Sequence, residues 1–141
     1  MRRIVCLLGI AQVLLPLAAA RAGEPVEYQL AVVDAGRYLP HNDITVARFR
    51  SLLPQLDGKF TENAATIADI TVKAQKILRE AGIQEKMLKM MEGINRLFAQ
   101  PFPNQRYAEY VSVYVATRIR GASHDEALAG IRDVLDLAQV P

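Results

Sequence analysis

The chain has one cysteine, no tryptophan and two histidines among its 141 residues. A single thiol, at Cys6, excludes a disulfide within the chain, and so few cysteines and histidines exclude the usual four-ligand structural zinc site. We therefore expect neither a metal nor a cofactor. The fold must then rest on an apolar core, which a chain of this length is able to form.

Sequence motifs of catalysis are also absent. The chain contains no G-x-S-x-G nucleophile elbow, no H-E-x-x-H zinc motif and no phosphate-binding loop. His41 and His124 lie far apart in the sequence, and we expect His124 near the surface at the start of a helix. These absences predict that the protein is not an enzyme. The alternative is an enzyme, namely a hydrolase whose fold brings His41 or His124 to a serine, threonine or carboxylate.

Only one long apolar run is present, and it lies at the start of the chain. Arg2 and Arg3 precede an apolar stretch over residues 4–17, and the motif A-R-A follows at residues 20–22. This order is typical of a secretory signal peptide, here residues 1–22. The run is shorter than the about 20 apolar residues of a membrane-spanning helix. We expect cleavage after residue 22, no integral membrane segment afterwards, and a periplasmic or secreted protein.

Removal of that segment changes the charge balance. The whole chain has 17 basic and 15 acidic residues. Residues 1–22 contain Arg2, Arg3 and Arg21 but no acid, so the mature chain has one more acidic than basic residue. A chain so close to neutral lacks the attraction to phosphate that general nucleic-acid binding requires. We expect no nucleic-acid partner.

Residues 23–42 have the least regular pattern. Tyr28, Leu30 and Val32 alternate as in a short strand, and the sequence GRYLPHND is typical of a turn. Because a lone strand leaves both of its edges unpaired, we predict an irregular leader or extended arm in this range. A helical domain over residues 43–141 then follows.

Three amphipathic helices are predicted between residues 43 and 98. The first begins at Asn42 or Asp43 and should end near Leu53, because Pro54 cannot continue the hydrogen-bond pattern. The second begins at Thr61 or Asn63, ends at Gly82, and carries an apolar stripe. The members of that stripe are Ile67, Ile70, Ala74, Ile77, Leu78 and Ala81. The third covers residues 84–98.

Residues 104–138 predict two more helices. The stretch from Asn104 to Gly121 has valines that alternate as in a strand, but it also forms a helical stripe, and we predict a helix because its neighbours are helical. The last helix begins at a capping box formed by Ser123 and Glu126. The fold class predicted is therefore all-α, a small bundle of about four to five amphipathic helices with an irregular N-terminal leader, after a cleaved signal peptide.

Two sets of side chains are candidate binding residues. Tyr107, Tyr110, Tyr114 and Arg118 combine the residue types that are enriched at binding hot spots, so they form a candidate partner-binding face. The alternative is that the tyrosines pack inward with their hydroxyls at the rim.

Met87, Met90 and Met91 share one helix face with other apolar side chains. Core packing explains them better than Cu(I) ligation, and an adaptable apolar groove is the further alternative.

The function predicted from these features is that of an exported small helical interaction module, such as an accessory, adaptor or inhibitor-like protein. It would bind a protein partner in the cell envelope or outside the cell through a helical face. Two alternatives remain: a carrier of a small apolar ligand, in a pocket lined by Met87, Met91 and Tyr114, and the hydrolase described above. The sequence leaves open whether the chain forms a homo-oligomer.

Overall fold

The computed structural model describes residues 23–99 and 104–138, and over these residues the chain forms six α-helices and no strand. The helices are α1 (Val26–Ala35), α2 (Ile44–Asp57), α3 (Ala64–Glu80), α4 (Met87–Leu97), α5 (Tyr107–Ile119) and α6 (His124–Ala138). The prediction of a small all-α bundle is confirmed. The predicted signal peptide, residues 1–22, lies outside the described residues.

Helix α1 differs from the irregular leader that was predicted for residues 23–42. Leu30 and Ala31 are buried, and α1 packs against α2. Gly36 ends the helix in a left-handed conformation, with φ of 67°, and its N–H donates to the carbonyls of Val32 and Val33. The alternating pattern was misleading because apolar residues occupy nearly all sides of this segment, so that only packing on α2 selects the helix.

Helix α2 continues through Pro54 to Asp57, one turn beyond the predicted end near Leu53. The proline ring removes one intrahelical hydrogen bond. The following turn is kept because Leu56 is fully buried and because the Gly58 N–H donates to the carbonyl of Pro54 at 3.1 Å.

The predicted helix ends are confirmed where the signal is local. Asn63 caps α3 by accepting from the Thr66 N–H at 3.0 Å, and Gly82 follows that helix with φ of 80°. At α6 the Ser123 N–H donates to Glu126, and the Glu126 N–H donates back to the serine hydroxyl. This is the reciprocal capping box.

The core lies where α5 packs on α3 and α6, and where α2 packs on α1, α3 and α4. At its centre the rings of Phe60, Phe98, Tyr107 and Tyr110 meet at centroid distances between 4.8 and 6.0 Å. Tyr107–Ile119 is a helix, as predicted. Within residues 23–99 and 104–138, no helix is long and apolar enough to cross a membrane.

Candidate functional site

Two hollows lie along the exposed side of α4, and a third adjoins them before the start of that helix. The first, of about 400 Å³, opens between α2 and α4, and the second, of about 350 Å³, is lined by residues of α1, α2 and α4. Arg48 and Glu92 line both of these hollows. A third hollow of about 120 Å³ shares Asp34 and Lys86 with the second and reaches the end of α3. We call these three adjoining hollows the α4 groove.

An ion pair between Arg48 and Glu92 separates the first hollow from the second. Arg48 Nη2 lies 2.6 Å from both carboxylate oxygens of Glu92, and Nε lies 2.9 Å from one of them. The two side chains are 51% and 30% exposed. An ion pair in such contact with water contributes little stability, but its two-pronged geometry fixes both side chains in the groove.

The far end of the groove is held by Asn95, near the end of α4. Its side-chain amide donates to Gln55 at 3.0 Å. The Lys59 ammonium donates to the side-chain and main-chain oxygens of Asn95 at 2.8 and 3.0 Å, respectively. Lys59 thus places a positive charge at the carbonyl end of α4, where the helix dipole favours it. Burial lowers the pKa of this lysine.

The junction of the second and third hollows is built by Asp34, a buried carboxylate at the end of α1. It accepts hydrogen bonds from the Met87 N–H at 2.6 Å and from the Gln75 amide at 3.1 Å. Lys86 donates to its main-chain carbonyl at 2.5 Å. Helix α4 therefore begins at Met87 rather than at residue 84 as predicted, because Asp34 caps the first turn and Lys86 remains extended, with ψ of 132°.

The charges that the groove presents to solvent are mainly positive. Its basic lining residues, all exposed, are Arg48, Arg79, Lys86, Lys89 and Arg96. Its acidic lining residues already have partners inside the protein: Asp34 binds backbone N–H groups, Glu85 binds Arg118, and Glu92 binds Arg48.

A buried polar network lies behind the groove and joins it to α5 and α6. The Glu85 carboxylate accepts from the Tyr114 hydroxyl at 3.0 Å and from Arg118 at 2.9 Å. The Tyr114 hydroxyl is also 2.6 Å from Nδ1 of His124. The side chains of Glu85, His124 and Arg118 are 5%, 8% and 15% exposed, respectively. Glu85 belongs both to this network and to the third hollow.

The hydrogen bonds of the network define the state of His124. An ionised carboxylate only accepts, so the Tyr114 hydroxyl donates to Glu85, and the Nδ1–H of His124 donates to that hydroxyl. Burial favours the neutral ring, in which Nε2 carries no proton, and Nε2 is buried without a hydrogen-bond partner among the described residues. Burial lowers the pKa of His124 although Glu85 opposes this, and burial followed by the charge of Glu85 raises the pKa of Tyr114. The expectation that His124 lies near the surface is therefore wrong.

The tyrosines chosen as a partner-binding face lie inside the protein. Tyr107, Tyr110 and Tyr114 are 0%, 6% and 0% exposed. Their hydroxyls contact Thr71, Gln105 and the Glu85 network, respectively. Arg118 is occupied by Glu85 and by the carbonyl of Ala122. These side chains do not form the exposed face that was predicted, because each polar tip has an internal partner that makes burial of its ring favourable.

The methionines pack in the core, which is the interpretation that the sequence favoured over Cu(I) ligation and over an apolar groove. Met87, Met90 and Met91 are 0%, 1% and 0% exposed, so they do not form an open groove. Met87, Met91 and Tyr114 have no surface accessible to water, and so no cavity large enough for a ligand borders them. The apolar-ligand pocket expected between these residues is absent from the described part of the chain.

The histidines have separate surroundings. His41 is 66% exposed, stacks on Tyr28 at 4.3 Å and lies near Glu24, whereas His124 is buried beside Glu85. Across residues 23–99 and 104–138, no group of three or more histidine, cysteine, aspartate or glutamate side chains is arranged to hold a metal ion.

The residues of the α4 groove carry only weak signals in the sequence. Arg48 lies beside the apolar face of α2, and Glu92 lies on the polar face of α4, which is an ordinary place for a charge. Asp34, within the apolar segment LAVVDAG, is the stronger signal, because a charge there needs a partner if it is buried.

Over the described residues, the chain forms a six-helix bundle with an open surface groove lined by basic side chains and a buried polar network behind it. Residues 33–134 match the MoxZ family model, and the chain therefore belongs to the MoxZ family. The matched range contains every groove residue named above and the whole buried network. Comparison with curated proteins and with solved structures found no significant match.

Proposed function

We propose that the protein is an exported, non-catalytic binding protein that docks a protein partner in the α4 groove. The observation that carries this proposal is the groove itself, a series of open hollows bounded by residues from α1, α2 and α4. It replaces the tyrosine face as the docking surface, since those tyrosines are buried.

The groove is supported as a docking surface by the number of its side chains that are already fixed. Arg48 is held by Glu92, Asn95 by Lys59, and Lys86 by the carbonyl of Asp34. A surface whose side chains are ordered before binding loses less conformational entropy when a partner arrives. Such a site favours recognition of a defined partner over loose adhesion.

A binding role is favoured over catalysis by the groups that line the groove. Its hydroxyl side chains, Thr45 and Ser51, lie on α2 beside Arg48 and Gln55, and neither forms a pair with a histidine base. Tyr114 and His124, whose pKa values are shifted by burial, lie behind the groove and do not face a substrate-sized space.

Export is the second part of the proposal and is supported by the arginine-led apolar run at residues 1–22. It places the domain in the periplasm or outside the cell. Expression of the full chain followed by N-terminal sequencing of the envelope and secreted fractions should yield a chain that begins at Gly23. A cytoplasmic chain with residues 1–22 intact would contradict export.

Docking in the groove is tested by site-directed photo-crosslinking in cells that express the full chain. Benzoylphenylalanine in place of Ser51 or Lys89 lies in the groove, and the same residue in place of Arg132 lies on the exposed side of α6. We expect a discrete crosslinked partner from the groove positions and none from position 132. Equal crosslinking at all three positions, or none in the groove, would overturn the proposal.

A further inference from the structure

We infer that the occupant of the α4 groove is an acidic, extended segment of a protein partner. This inference rests on the proposed function and adds the chemical class of the partner. It is carried by the charges of the groove, by the engagement of its carboxylates and by its length.

The basic side chains follow the whole length of the groove. Arg96 lies in the first hollow, Lys89 and Lys86 in the second, and Arg79 in the third, where Lys86 also contributes. All four residues are exposed. Lys86 and Arg79 donate to neutral oxygens, those of the Asp34 carbonyl and the Gln75 amide, so both keep their net positive charge. Lys89 lies 3.8 Å from one oxygen of Glu85, whose other oxygen binds Arg118. A row of cations attracts a segment that carries several negative charges more strongly than one that carries a single charge.

The acidic side chains of the groove do not cancel this field, because internal groups neutralise or hold each of them. Asp34 is 6% exposed and faces the N-terminal end of α4, where the helix dipole is positive. Glu85 has a 5% exposed side chain and is bound by Arg118. Glu92 shares its charge with Arg48, so an arriving carboxylate meets Lys89 and Arg96 on either side of an internally balanced pair.

The dimensions of the groove fit a short extended segment. Helix α4 has 11 residues and is therefore about 16 Å long. An extended chain advances about 3.3 Å per residue, so about five residues run along the helix. Alternate side chains of such a segment face the same side. Two pairs of shared lining residues, Arg48 with Glu92 and Asp34 with Lys86, divide the groove into three successive compartments. A compact ligand would occupy only one compartment.

The test uses a fluorescent peptide of about eight glutamates, long enough to cover the groove. Peptides of the same length made of lysine or of alternating glycine and serine serve as controls. We expect saturable binding of the glutamate peptide alone, measured by fluorescence anisotropy. Binding should weaken at least about fivefold when NaCl is raised from about 50 to about 500 mM, since exposed charges are screened over that range.

Matched variants separate the groove from net charge. Arg96→Glu and Lys89→Gln remove cations from the groove and should each weaken binding at least about fivefold, roughly the loss of one exposed ionic contact or slightly more. Arg132→Glu makes the same change of charge as Arg96→Glu on the exposed side of α6, and it should change binding less than about twofold. Circular dichroism of each variant shows that the fold is kept.

The outcomes distinguish this inference from the proposed function. Equal weakening by Arg132→Glu, or tighter binding to vesicles of anionic lipid than to the glutamate peptide, overturns the acidic protein segment as occupant. If the glutamate peptide does not bind but Ser51 and Lys89 still give a crosslinked partner, the acidic segment is also overturned as occupant. The groove then remains the proposed docking surface. Loss of groove crosslinking removes the proposed function itself.

Discussion

The carboxylate of Asp34, at the end of α1, accepts a hydrogen bond at 2.6 Å from the N–H of Met87, which follows it by 53 residues. This contact caps α4 with a side chain from a different helix, at the point where two hollows of the α4 groove meet. The groove therefore depends on a long-range interaction rather than on α4 alone.

Replacement of Asp34 tests that dependence. Asp34→Ala leaves the buried N–H of Met87 without its acceptor, and it removes one of two acceptors of the Gln75 amide, which also donates to the carbonyl of Glu85. Each lost buried hydrogen bond costs about 1–3 kcal/mol. We expect the free energy of unfolding in urea to fall by about 2–4 kcal/mol. Asp43→Ala, which removes a local cap at the start of α2, is the control and should cost less than Asp34→Ala. Equal losses would show that the long-range cap has no special role.

Two helical glycines should respond in opposite directions to alanine. A methyl group at Gly93 would lie 2.8 Å from Leu128 and 3.1 Å from His124, both buried. At Gly130 the nearest atom, in Thr117, is 3.9 Å away. We expect Gly93→Ala to lower the free energy of unfolding by about 1 kcal/mol, since overpacking outweighs helix propensity. Gly130→Ala should raise it by about 0.5–1 kcal/mol. Thermal unfolding of both variants checks the signs.

The burial of His124 predicts a loss of stability in mild acid. Its pKa is lowered from the ordinary value of 6.5, chiefly by burial. Because the unfolded chain binds this proton more readily than the folded chain, the contribution of His124 to the free energy of unfolding is fully present above pH 6.5 and falls as the pH drops below that value. The polar groups that face His124 are Glu85, Lys89, Tyr114, Arg118 and Asp125.

His124→Asn keeps an N–H donor but does not titrate. It should therefore flatten the pH dependence of the free energy of unfolding just below pH 6.5, while the absolute stability is free to change. A wild-type slope in the His124 variant would contradict the assignment of this pH dependence to His124.

Glu62 should show the same direction of pH dependence as His124, but at lower pH. It caps α5 by accepting from the N–H groups of Tyr107 at 2.9 Å and of Ala108 at 3.1 Å. Partial burial raises its pKa, but these hydrogen bonds outweigh that effect, so the pKa is lowered from 4.5. Its contribution is thus present above pH 4.5 and is lost as the pH falls through the folded value.

The measurement for Glu62 is urea unfolding of Glu62→Ala at two pH values. At neutral pH the variant should lose about 1–2 kcal/mol, the usual range for a helix cap. That difference from the wild type should shrink when the wild-type carboxylate becomes protonated. A difference that is independent of pH would show that the ionised form does not contribute.

Local signals explain which helices were predicted correctly. The caps at Asn63 and Ser123 and the stop at Gly82 act within a few residues, so the sequence contains all the information that they need. Helix α1 was missed because its pattern allows either a strand or a helix, and only contact with α2 decides between them.

The apolar stripe of α3 shows why burial is harder to predict than helix formation. Ile77, assigned to the inner face, is 46% exposed, whereas Thr71 and Gln75 are 0% and 6% exposed. Thr71 contacts the hydroxyl of Tyr107, and Gln75 donates to Asp34. These polar side chains are buried because their partners arrive from other helices, and that information is absent from the local pattern.

The sequence by itself determined that this chain is helical and where α3 and α6 begin, because capping and hydrophobic periodicity act over a few residues. Tertiary structure alone decided that Asp34 caps α4, that Arg48 meets Glu92 and that Tyr114 and His124 are buried. Each of these pairings joins segments that are distant along the chain. The cost of burying a polar group depends on the partner that it finds there, and a partner from a distant segment becomes visible only when the helices have packed.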